Sequence, residues 1–407
     1  MIRKFGFTNF TSFKESVEVN FEFDGKTPES VKNGMPVSTV MGIKGANGSG
    51  KTNILRALAF LSYFCTKGAR THVKRKGSEP TSLVAVDGFF NNNEPVNFYI
   101  DFEIDNVQYF YELDIKSGKI IHESLAKKAQ RSVNLIKRVN NTITERIKTL
   151  EDFDNFELSE DTSILEMVTK FKFKHDISEL KKVYDFFYNI IINVTYEGYT
   201  ELSFDLGEDT LIFSKNKHMF EFVKELIKAS DSSIIDIEIR QYKDSKGDDI
   251  HLPVFIHRCE SGTEELSFGS QSSGTKKLYQ VLSAYFEVLR NGGVLALDEF
   301  DIHLHAKMLP LILKLFLNKK VNTKNAQFIF TSHNTEIIDT LGKYRTLLVN
   351  KEDSESYGYR LDEIPGSMIR NDRPISPLYI DGKIGGIPTI CDMNLESIME
   401  RIEYGEE

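Results

Sequence analysis

Residues 45–52 read Gly-Ala-Asn-Gly-Ser-Gly-Lys-Thr and match the phosphate-binding pattern G-x-x-x-x-G-K-[ST] at every fixed position. An apolar, β-type segment at 37–43 precedes this P-loop, and a helix-forming segment at 53–61 follows it. Glycines allow successive backbone N–H groups to turn toward one phosphate, and the amino terminus of a helix attracts the same anion. The sequence therefore predicts a strand, a P-loop and a helix in an α/β domain that binds a nucleoside triphosphate.

The P-loop pattern predicts a task for individual side chains. We expect Lys51 to contact the β- and γ-phosphates and to take part in catalysis, and we expect the hydroxyl of Thr52 to bind Mg²⁺. The other P-loop residues expected to surround ATP are Gly45, Asn47, Gly48, Ser49, Gly50 and Asn53. ATP and Mg²⁺ are thus the predicted cofactors.

The composition is that of an ordinary globular chain. Its 407 residues, 40% hydrophobic and 27% charged, suffice for two lobes or for one large domain with an insertion. No apolar run approaches the ~20 residues of a membrane-spanning helix, so we expect a cytoplasmic protein without a membrane partner. The formal net charge of −9 argues against a surface devoted to nucleic acid, although a local basic patch is compatible with it.

The pattern along the chain predicts three parts. Residues 1–125 indicate an N-terminal ATPase lobe that holds the P-loop and an antiparallel β meander, with strands near 96–104, 108–115 and 119–125. Residues 126–235 are charged and low in glycine, and we interpret them as a helical insertion. Residues 236–407 return to strands alternating with helices and indicate a C-terminal ATPase lobe.

A second acidic motif completes the prediction of an ATPase site. The apolar strand Val-Leu-Ala-Leu at 294–297 ends in Asp298 and Glu299. Asp298 fits the Walker B carboxylate that holds the Mg²⁺ shell together with Thr52. Glu299 fits a general base that activates the attacking water. Alone, the motif could be an ordinary strand running into an acidic turn, but beside a P-loop the Walker B interpretation is favoured.

His333 follows another strand-like segment, at 326–330. Because ligands gather at the carboxyl edge of parallel strands, a histidine there would lie beside the γ-phosphate. We predict a catalytic role for His333 as a sensor that hydrogen-bonds the γ-phosphate or the attacking water, in preference to a purely structural histidine.

Ser273 and Gly274 open an amphipathic helix and have two possible roles. A serine at this place can simply cap the helix. Alternatively, the exposed N–H groups and hydroxyl can bind the γ-phosphate of a nucleotide held by another subunit, and this second interpretation is favoured.

Taken together, these motifs resemble the ABC-type ATPase heads of SMC, recombination-repair and overcoming-lysogenization-defect (OLD) proteins. More specifically, the chain resembles the predicted ATPases of bacterial phage-defence and abortive-infection systems. The motifs that carry the resemblance are the P-loop, Asn9–Phe13, Ser272–Lys277, Leu297–Asp301 with Leu304 and His305, Thr331–His333 and Leu378–Pro388. The resemblance implies an α/β P-loop NTPase fold of the ABC-ATPase-head type, with an antiparallel β subdomain and a helical insertion.

The resemblance also implies a head-to-head dimer with two ATP molecules between one subunit's P-loop and the other's signature serine. Here the signature reads Ser-Ser-Gly-Thr instead of Leu-Ser-Gly-Gly, so Ser267 and Ser272 remain alternatives to Ser273. Asp301 corresponds to the region called the D-loop, and His305 to a histidine that often follows Walker B. For the glutamine that usually lines the metal, only Asn91 to Asn93 offer a candidate position.

Three functions are compatible with the motifs. The leading expectation is an ATP-hydrolysing sensor or switch in antiviral defence that controls a separately encoded effector, by analogy a nuclease. The alternative is a DNA-binding SMC-like or repair ATPase, for which the basic stretches at 74–76, 127–131 and 137–138 are candidates, although a solvated charged face is the simpler interpretation. A non-hydrolysing scaffold conflicts with the presence of Glu299.

Overall fold

A computed structural model describes residues 1–66, 86–128, 132–195, 198–200, 202, 206–243, 247–302 and 304–388. The basic stretch at 74–76 therefore lies outside the described residues. Among the helices within these ranges, none is both long enough and apolar enough to cross a bilayer.

The described residues contain eighteen strands, most of them short and rich in β-branched and aromatic residues. In chain order they are β1 (Ile2–Thr8), β2 (Val17–Asn20), β3 (Val40–Gly45), β4 (Val96–Ile104), β5 (Val107–Lys116), β6 (Lys119–Lys128), β7 (Ser132–Val139), β8 (Thr142–Arg146), β9 (Ile190–Ile192), β10 (Val194–Thr195), β11 (Gly198–Tyr199), β12 (Ile234–Lys243), β13 (Asp249–Cys259), β14 (Gly262–Ser267), β15 (Val294–Leu297), β16 (Gln327–Thr331), β17 (Thr346–Glu352) and β18 (Glu355–Arg360).

The same ranges contain ten α-helices, of which the longest follow the P-loop and the signature. In chain order they are α1 (Glu29–Lys32), α2 (Lys51–Thr66), α3 (Ile164–Lys170), α4 (Ser178–Tyr188), α5 (Leu206–Lys215), α6 (Lys217–Ser230), α7 (Ser273–Asn291), α8 (Leu309–Leu317), α9 (Ile337–Leu341) and α10 (Ser376–Ile380).

The central sheet places the predicted motifs side by side. Its described strands have the order β18-β17-β3-β16-β15-β9, and all neighbours pair in parallel except β17 and β18. The strand before the P-loop, β3, and the strand before Asp298, β15, flank β16, which leads to His333. Because parallel strands end at one edge of the sheet, these three motifs converge there.

Both faces of this sheet are buried. Along β15, Val294 and Ala296 belong to the hydrophobic core that also contains α2, whereas Leu295 and Leu297 belong to a second core built with α7 and α8. Successive side chains of a strand point to opposite faces, so a strand covered on both sides is continuously apolar. Because β15 is packed on both faces, the position of Asp298 at its carboxyl end is fixed relative to the sheet.

A second, antiparallel sheet has the order β2-β1-β4-β5-β6-β7-β8 among the described residues. It confirms the predicted meander: the turn residues Asp105-Asn106 and Ser117-Gly118 all have positive φ, which two-residue hairpin turns require. The described residues therefore form the predicted α/β P-loop fold with an antiparallel β subdomain.

The helical description of 126–235 is wrong in its first part. Residues 132–146 form β7 and β8, which extend the antiparallel sheet, and helices begin only later with α3. The run Val133 to Arg146 contains two β-branched segments around Asn140, whose φ is +51°, and this is a hairpin signal. Near its middle, β9 joins the central sheet beside β15, so the segment does not stand apart from the ATPase core. The division at 125/126 and 235/236 stays a prediction.

Candidate functional site

The P-loop connects the end of β3 at Gly45 to the start of α2 at Lys51. Gly48 and Gly50 have φ values of +73° and +109°, which residues with a Cβ atom rarely adopt. A Cβ atom at Gly50 would also lie 2.9 Å from Ser356 Oγ and 3.0 Å from Ser12 Oγ. The glycines therefore allow the loop to curl tightly above the helix amino terminus.

Two polar groups of the loop fit a phosphate ligand. The hydroxyl of Ser49 is buried and has no hydrogen-bond partner among the described residues. Lys51 Nζ donates to the carbonyls of Gly45 and Ala46 at 3.0 and 2.9 Å, so it lies folded back over the loop. Burial lowers the pKa of Lys51, whereas the nearby carboxylates of Asp298 and Glu299 act in the opposite direction.

Thr52 and Asp298 meet directly. Thr52 Oγ1 donates to Asp298 Oδ2 at 2.8 Å, and Thr331 Oγ1 donates to Asp298 Oδ1 at 2.6 Å. The Asp298 residue is only 2% exposed, so both carboxylate oxygens have fixed directions. Hard oxygen ligands of this kind are those that Mg²⁺ prefers.

Asn193 holds the Walker B segment from the other side, and the sequence analysis missed it. It follows β9, and its side-chain amide both accepts from Asp298 N at 2.6 Å and donates to Asp298 O at 3.0 Å. The only sequence signal is a polar residue after three isoleucines, which gains meaning once β9 is known to pair with β15. The candidates for the metal-lining glutamine have other hydrogen-bond partners: Asn91 N donates to Gly88 O, the side chain of Asn92 exchanges hydrogen bonds with that of Asn9, and Asn93 accepts from Ser117.

Glu299 has a strained backbone at the edge of the sheet. Its φ is +50°, uncommon for a residue other than glycine, and its N–H donates to Thr331 Oγ1 at 2.7 Å. The side chain points toward His333, whose Nε2 lies 3.9 Å from Glu299 Oε1. The two side chains remain 36% and 47% exposed, so water and substrate can reach them.

The loop that carries His333 is fixed through its backbone by Asp301. One carboxylate oxygen, Oδ2, accepts from Ser332 Oγ at 2.8 Å, from His333 N at 3.0 Å and from Asn334 N at 2.9 Å. Asp301, the residue assigned to the D-loop region, therefore holds the loop of residues 332–334 within the same chain. His305 accepts from Lys307 N and caps a short turn instead.

The assembled groups fit Mg²⁺ and a nucleoside triphosphate, as judged from the paired oxygens of Thr52 and Asp298 and the orphaned hydroxyl of Ser49. Thr52 and Asp298 would hold the metal, which when bound neutralises phosphate charge and orients the leaving group. Glu299 and His333 stand at the edge of the same sheet and can hold a water and its proton.

Two P-loop residues have positions that separate them from this cluster. The side-chain amide of Asn53 donates to Ser12 Oγ at 2.9 Å, which ties α2 to the N-terminal segment. Asn47 is exposed at the tip of the loop. Neither residue therefore joins the side-chain hydrogen bonds that the described residues form at Lys51, Thr52 and Asp298 around the predicted phosphate and metal positions.

The signature region lies at the first turn of α7. Ser272 is the N-cap and accepts from Thr275 N at 3.1 Å, while Ser273 is the exposed first residue of the helix. Within the described part of the chain, no hydrogen bond or ion pair joins Ser273 or Gly274 to the P-loop. Ser267, the other alternative, forms a hydrogen bond with Ser270.

Three of the four described basic residues of the suggested nucleic-acid patch, Lys127, Lys128 and Arg138, have partners within the chain, whereas Lys137 forms no ion pair among the described residues. Lys127 pairs with Glu179, and Lys128 pairs with Asp101. Arg138 is fully buried: it donates to the carbonyls of three residues and lies 3.6 Å from Glu123. The interpretation of this stretch as a solvated charged face is thus wrong for Arg138, whose role is structural.

The chain is similar in structure to several SMC heads. These are the SMC head domain from Thermotoga maritima (15% identity, TM-score 0.43, 88% of this chain and 98% of that chain) and the SmcHead bound to the C-winged helix domain of ScpA (15% identity, TM-score 0.46, 88% and 96%). A third is the Smc head domain with an extended coiled coil bound to the C-terminal domain of ScpA, derived from Pyrococcus furiosus (14% identity, TM-score 0.42, 89% and 97%). No curated protein matches the sequence.

A protein family described as "AAA domain, putative AbiEii toxin, Type IV TA system" matches residues 40–339, which is 300 of the 407 residues. The match runs from β3 through the P-loop and Walker B to α9. It confirms the resemblance to abortive-infection ATPases that the motifs indicated. The chain belongs to this family of AAA-domain ATPases.

Proposed function

We propose that this protein is a Mg²⁺-dependent ATPase whose ATP-driven head-to-head association acts as a sensor or switch in antiphage defence, in the bacterial cytoplasm, by controlling a separate effector. The observation that carries the ATPase part is the hydrogen bond between Thr52 Oγ1 and Asp298 Oδ2. It brings the predicted metal ligand of the P-loop and that of Walker B within 2.8 Å of each other.

The geometry supports hydrolysis as well as binding. Lys51 and the helix amino terminus of α2 bind and orient the phosphates, and the carboxylate of Glu299 accepts a proton from the attacking water. The imidazole of His333 orients that water or the γ-phosphate from 3.9 Å away from Glu299. The buried hydroxyl of Thr331 keeps both Asp298 and Glu299 in place.

Association follows from the exposed signature. Ser273 and Gly274 begin a 19-residue helix, and Ser273 is exposed at its first position. A helix start with a hydroxyl is suited to a γ-phosphate presented by a second copy. Two such copies, related by a two-fold axis, would bury two nucleotides in one interface.

The ATPase part is tested by hydrolysis measurements on purified protein with ATP, with and without Mg²⁺. Wild type is expected to hydrolyse ATP only with Mg²⁺, and Lys51→Ala is expected to lose nucleotide binding. Lys182→Ala on α4 is the control, because this lysine lies outside the predicted site and the signature. Equal turnover by wild type and Lys51→Ala would refute the assignment.

The defence part rests on the family description, which names an abortive-infection toxin of a type IV toxin–antitoxin system. Cells carrying the gene with its neighbours are expected to restrict phage plating, and Lys51→Ala is expected to remove the protection. Expression of this protein without its neighbouring genes distinguishes a switch that controls an effector from a protein that is toxic by itself. If this protein alone arrests growth fully, without any neighbouring gene product, the separate effector is wrong.

The alternative is a DNA-binding SMC-like or repair ATPase. The internal pairing of Lys127 and Lys128 weakens it, since these cations are committed to Glu179 and Asp101. Salt-dependent DNA binding that disappears when the charges of residues 74–76 are reversed would favour this alternative over the defence switch.

A further inference from the structure

Lys44 is a buried lysine that the P-loop pattern does not require. It is the residue of β3 immediately before Gly45, and it is 1% exposed. Placing an ammonium in the interior is costly unless it is well paired. Burial is the main reason that the pKa of Lys44 is lowered to about 8; Asp301 acts in the opposite direction, and the positive charge of Lys51 acts in the same direction as burial.

The ammonium is paired with the loop that carries His333. Lys44 Nζ donates to the carbonyl of Ser332 at 2.7 Å and to the carbonyl of Asn334 at 2.9 Å. These two residues stand directly before and after His333. Asp301 binds the N–H groups of His333 and Asn334, so the same three-residue loop is held through its carbonyls by one residue and through its amides by another.

A third contact connects Lys44 to the C-terminal segment. Its Nζ lies 5.6 Å from the centre of the Tyr379 ring, a distance suited to a cation–π interaction. Tyr379 belongs to α10, and its hydroxyl donates to Gly386 O at 2.8 Å. Gly386 N in turn donates to Asn350 Oδ1 on β17 at 2.6 Å. Residues 376–388, called here the C-terminal clasp, thus fold back onto the central sheet beside Lys44.

We propose that Lys44 is a positioning residue that fixes His333 for ATP hydrolysis, and that the C-terminal clasp reinforces this position through the Tyr379 ring. The proposal rests on the proposed ATPase function. Lys44 is needed for this role because the side chain of His333 is 47% exposed and therefore receives little support from packing. Its place 3.9 Å from Glu299 depends on the backbone of the loop, which Lys44 and Asp301 hold.

A double-mutant cycle in ATP turnover tests the link between Lys44 and His333. Lys44→Met is expected to lower kcat about 10- to 100-fold with little change in ATP affinity, since small displacements of a catalytic group cost rates of this order. In a His333→Ala background the same change is expected to add less than about 2-fold. Lys224→Met, on the distant helix α6, is the matched control. Equal fold losses in both backgrounds would overturn the proposal.

Amide hydrogen exchange measures whether Lys44 holds the His333 loop, and it does not require ATP turnover. Lys44→Met is expected to raise the exchange of the His333 and Asn334 amides, while strands β15 and β16 stay protected. If wild type hydrolyses no ATP but this loop loosens in Lys44→Met, the proposed ATPase function fails, whereas the fixing of the His333 loop by Lys44 stands. Unchanged exchange at both amides would refute the positioning role.

The clasp is tested by substitutions of Tyr379, which also serve if Lys44→Met does not fold. Tyr379→Phe keeps the ring and is expected to retain turnover within about 2-fold, whereas Tyr379→Leu is expected to lower it about 5-fold or more. Tyr357→Leu, an exposed tyrosine of β18, is the matched control. Equal activity of the Phe and Leu variants would overturn the role of the ring.

Discussion

Thr52 donates a hydrogen bond to Asp298 at 2.8 Å, although the two residues are 246 positions apart in the sequence. The contact joins the first turn of α2 to the end of β15 across the intervening strand β16. A hydroxyl and a carboxylate at this separation can share one Mg²⁺ ion with little rearrangement.

We expect hydrolysis to require a metal ion and this requirement to depend on the Thr52–Asp298 pair. Asp298→Asn is expected to lower turnover at least about 100-fold at millimolar Mg²⁺, because an amide oxygen is a weaker ligand than a carboxylate and its NH₂ group opposes the Thr52 and Thr331 hydroxyls. Titration of turnover with Mg²⁺ measures the effect. Asp105→Asn, at an exposed turn, is the control, and an unchanged Mg²⁺ dependence of Asp298→Asn would contradict the assignment.

The exposed signature predicts complementation between two defective subunits. Ser273→Ala is expected to lose turnover but keep ATP binding, and Lys51→Ala is expected to lose both. A mixture of the two should recover one working site in each mixed dimer, because one P-loop and one signature remain intact together. Mixed dimers confirmed by tagged co-purification but without recovered turnover would contradict a shared site.

Asn193 supports Walker B and contributes to stability. Asn193→Ala leaves the buried N–H and carbonyl of Asp298 without a partner, so we expect a loss of about 2–3 kcal/mol in the free energy of unfolding. Urea denaturation measures it, with the exposed Asn291→Ala as control. A loss below about 0.5 kcal/mol would show that the two hydrogen bonds contribute little.

Stability should also depend on pH through Lys44. Its pKa is about 8 in the folded chain and 10.5 as the ordinary value, so between these pH values the unfolded chain binds more protons. Stability relative to Lys44→Met should therefore rise with pH above 8, by about 2–3 kcal/mol at pH 10. Burial is the main cause, and Asp301, Lys51 and the Tyr379 ring are the groups that face the ammonium.

Urea denaturation of both proteins at pH 7 and pH 10 provides the measurement. Lys224→Met is the control because Lys224 is paired with Asp236 at the surface and its pKa is raised instead of lowered. A constant difference between wild type and Lys44→Met over this range would contradict the lowered pKa.

The parts of the site that follow a recognisable strand could be predicted from the sequence. The P-loop, Asp298, Glu299 and His333 each stand directly after an apolar segment, and parallel strands bring such positions to one edge. Their roles remain predictions, but their proximity in the fold follows from local signals.

Asn193 and Lys44 could not be found in this way, since their meaning depends on which strands are neighbours. Asn193 matters because β9 pairs with β15, and Lys44 because β3 pairs with β16. Neither pairing is local in the sequence. The hairpin of β7 and β8 was missed for a different reason: its charged residues resemble those of a helix surface, although the Asn140 turn signals a hairpin.

Glu299→Gln tests the central claim most directly, namely that ATP drives the association of two copies and that hydrolysis at Glu299 ends it. Size-exclusion chromatography with light scattering should give a stable dimer of Glu299→Gln in the presence of ATP and Mg²⁺, and a monomer without ATP. Turnover should fall about 100-fold or more, while the exposed Glu145→Gln behaves as wild type. A Glu299→Gln protein that hydrolyses ATP at the wild-type rate, or that stays monomeric with bound ATP, would contradict the claim.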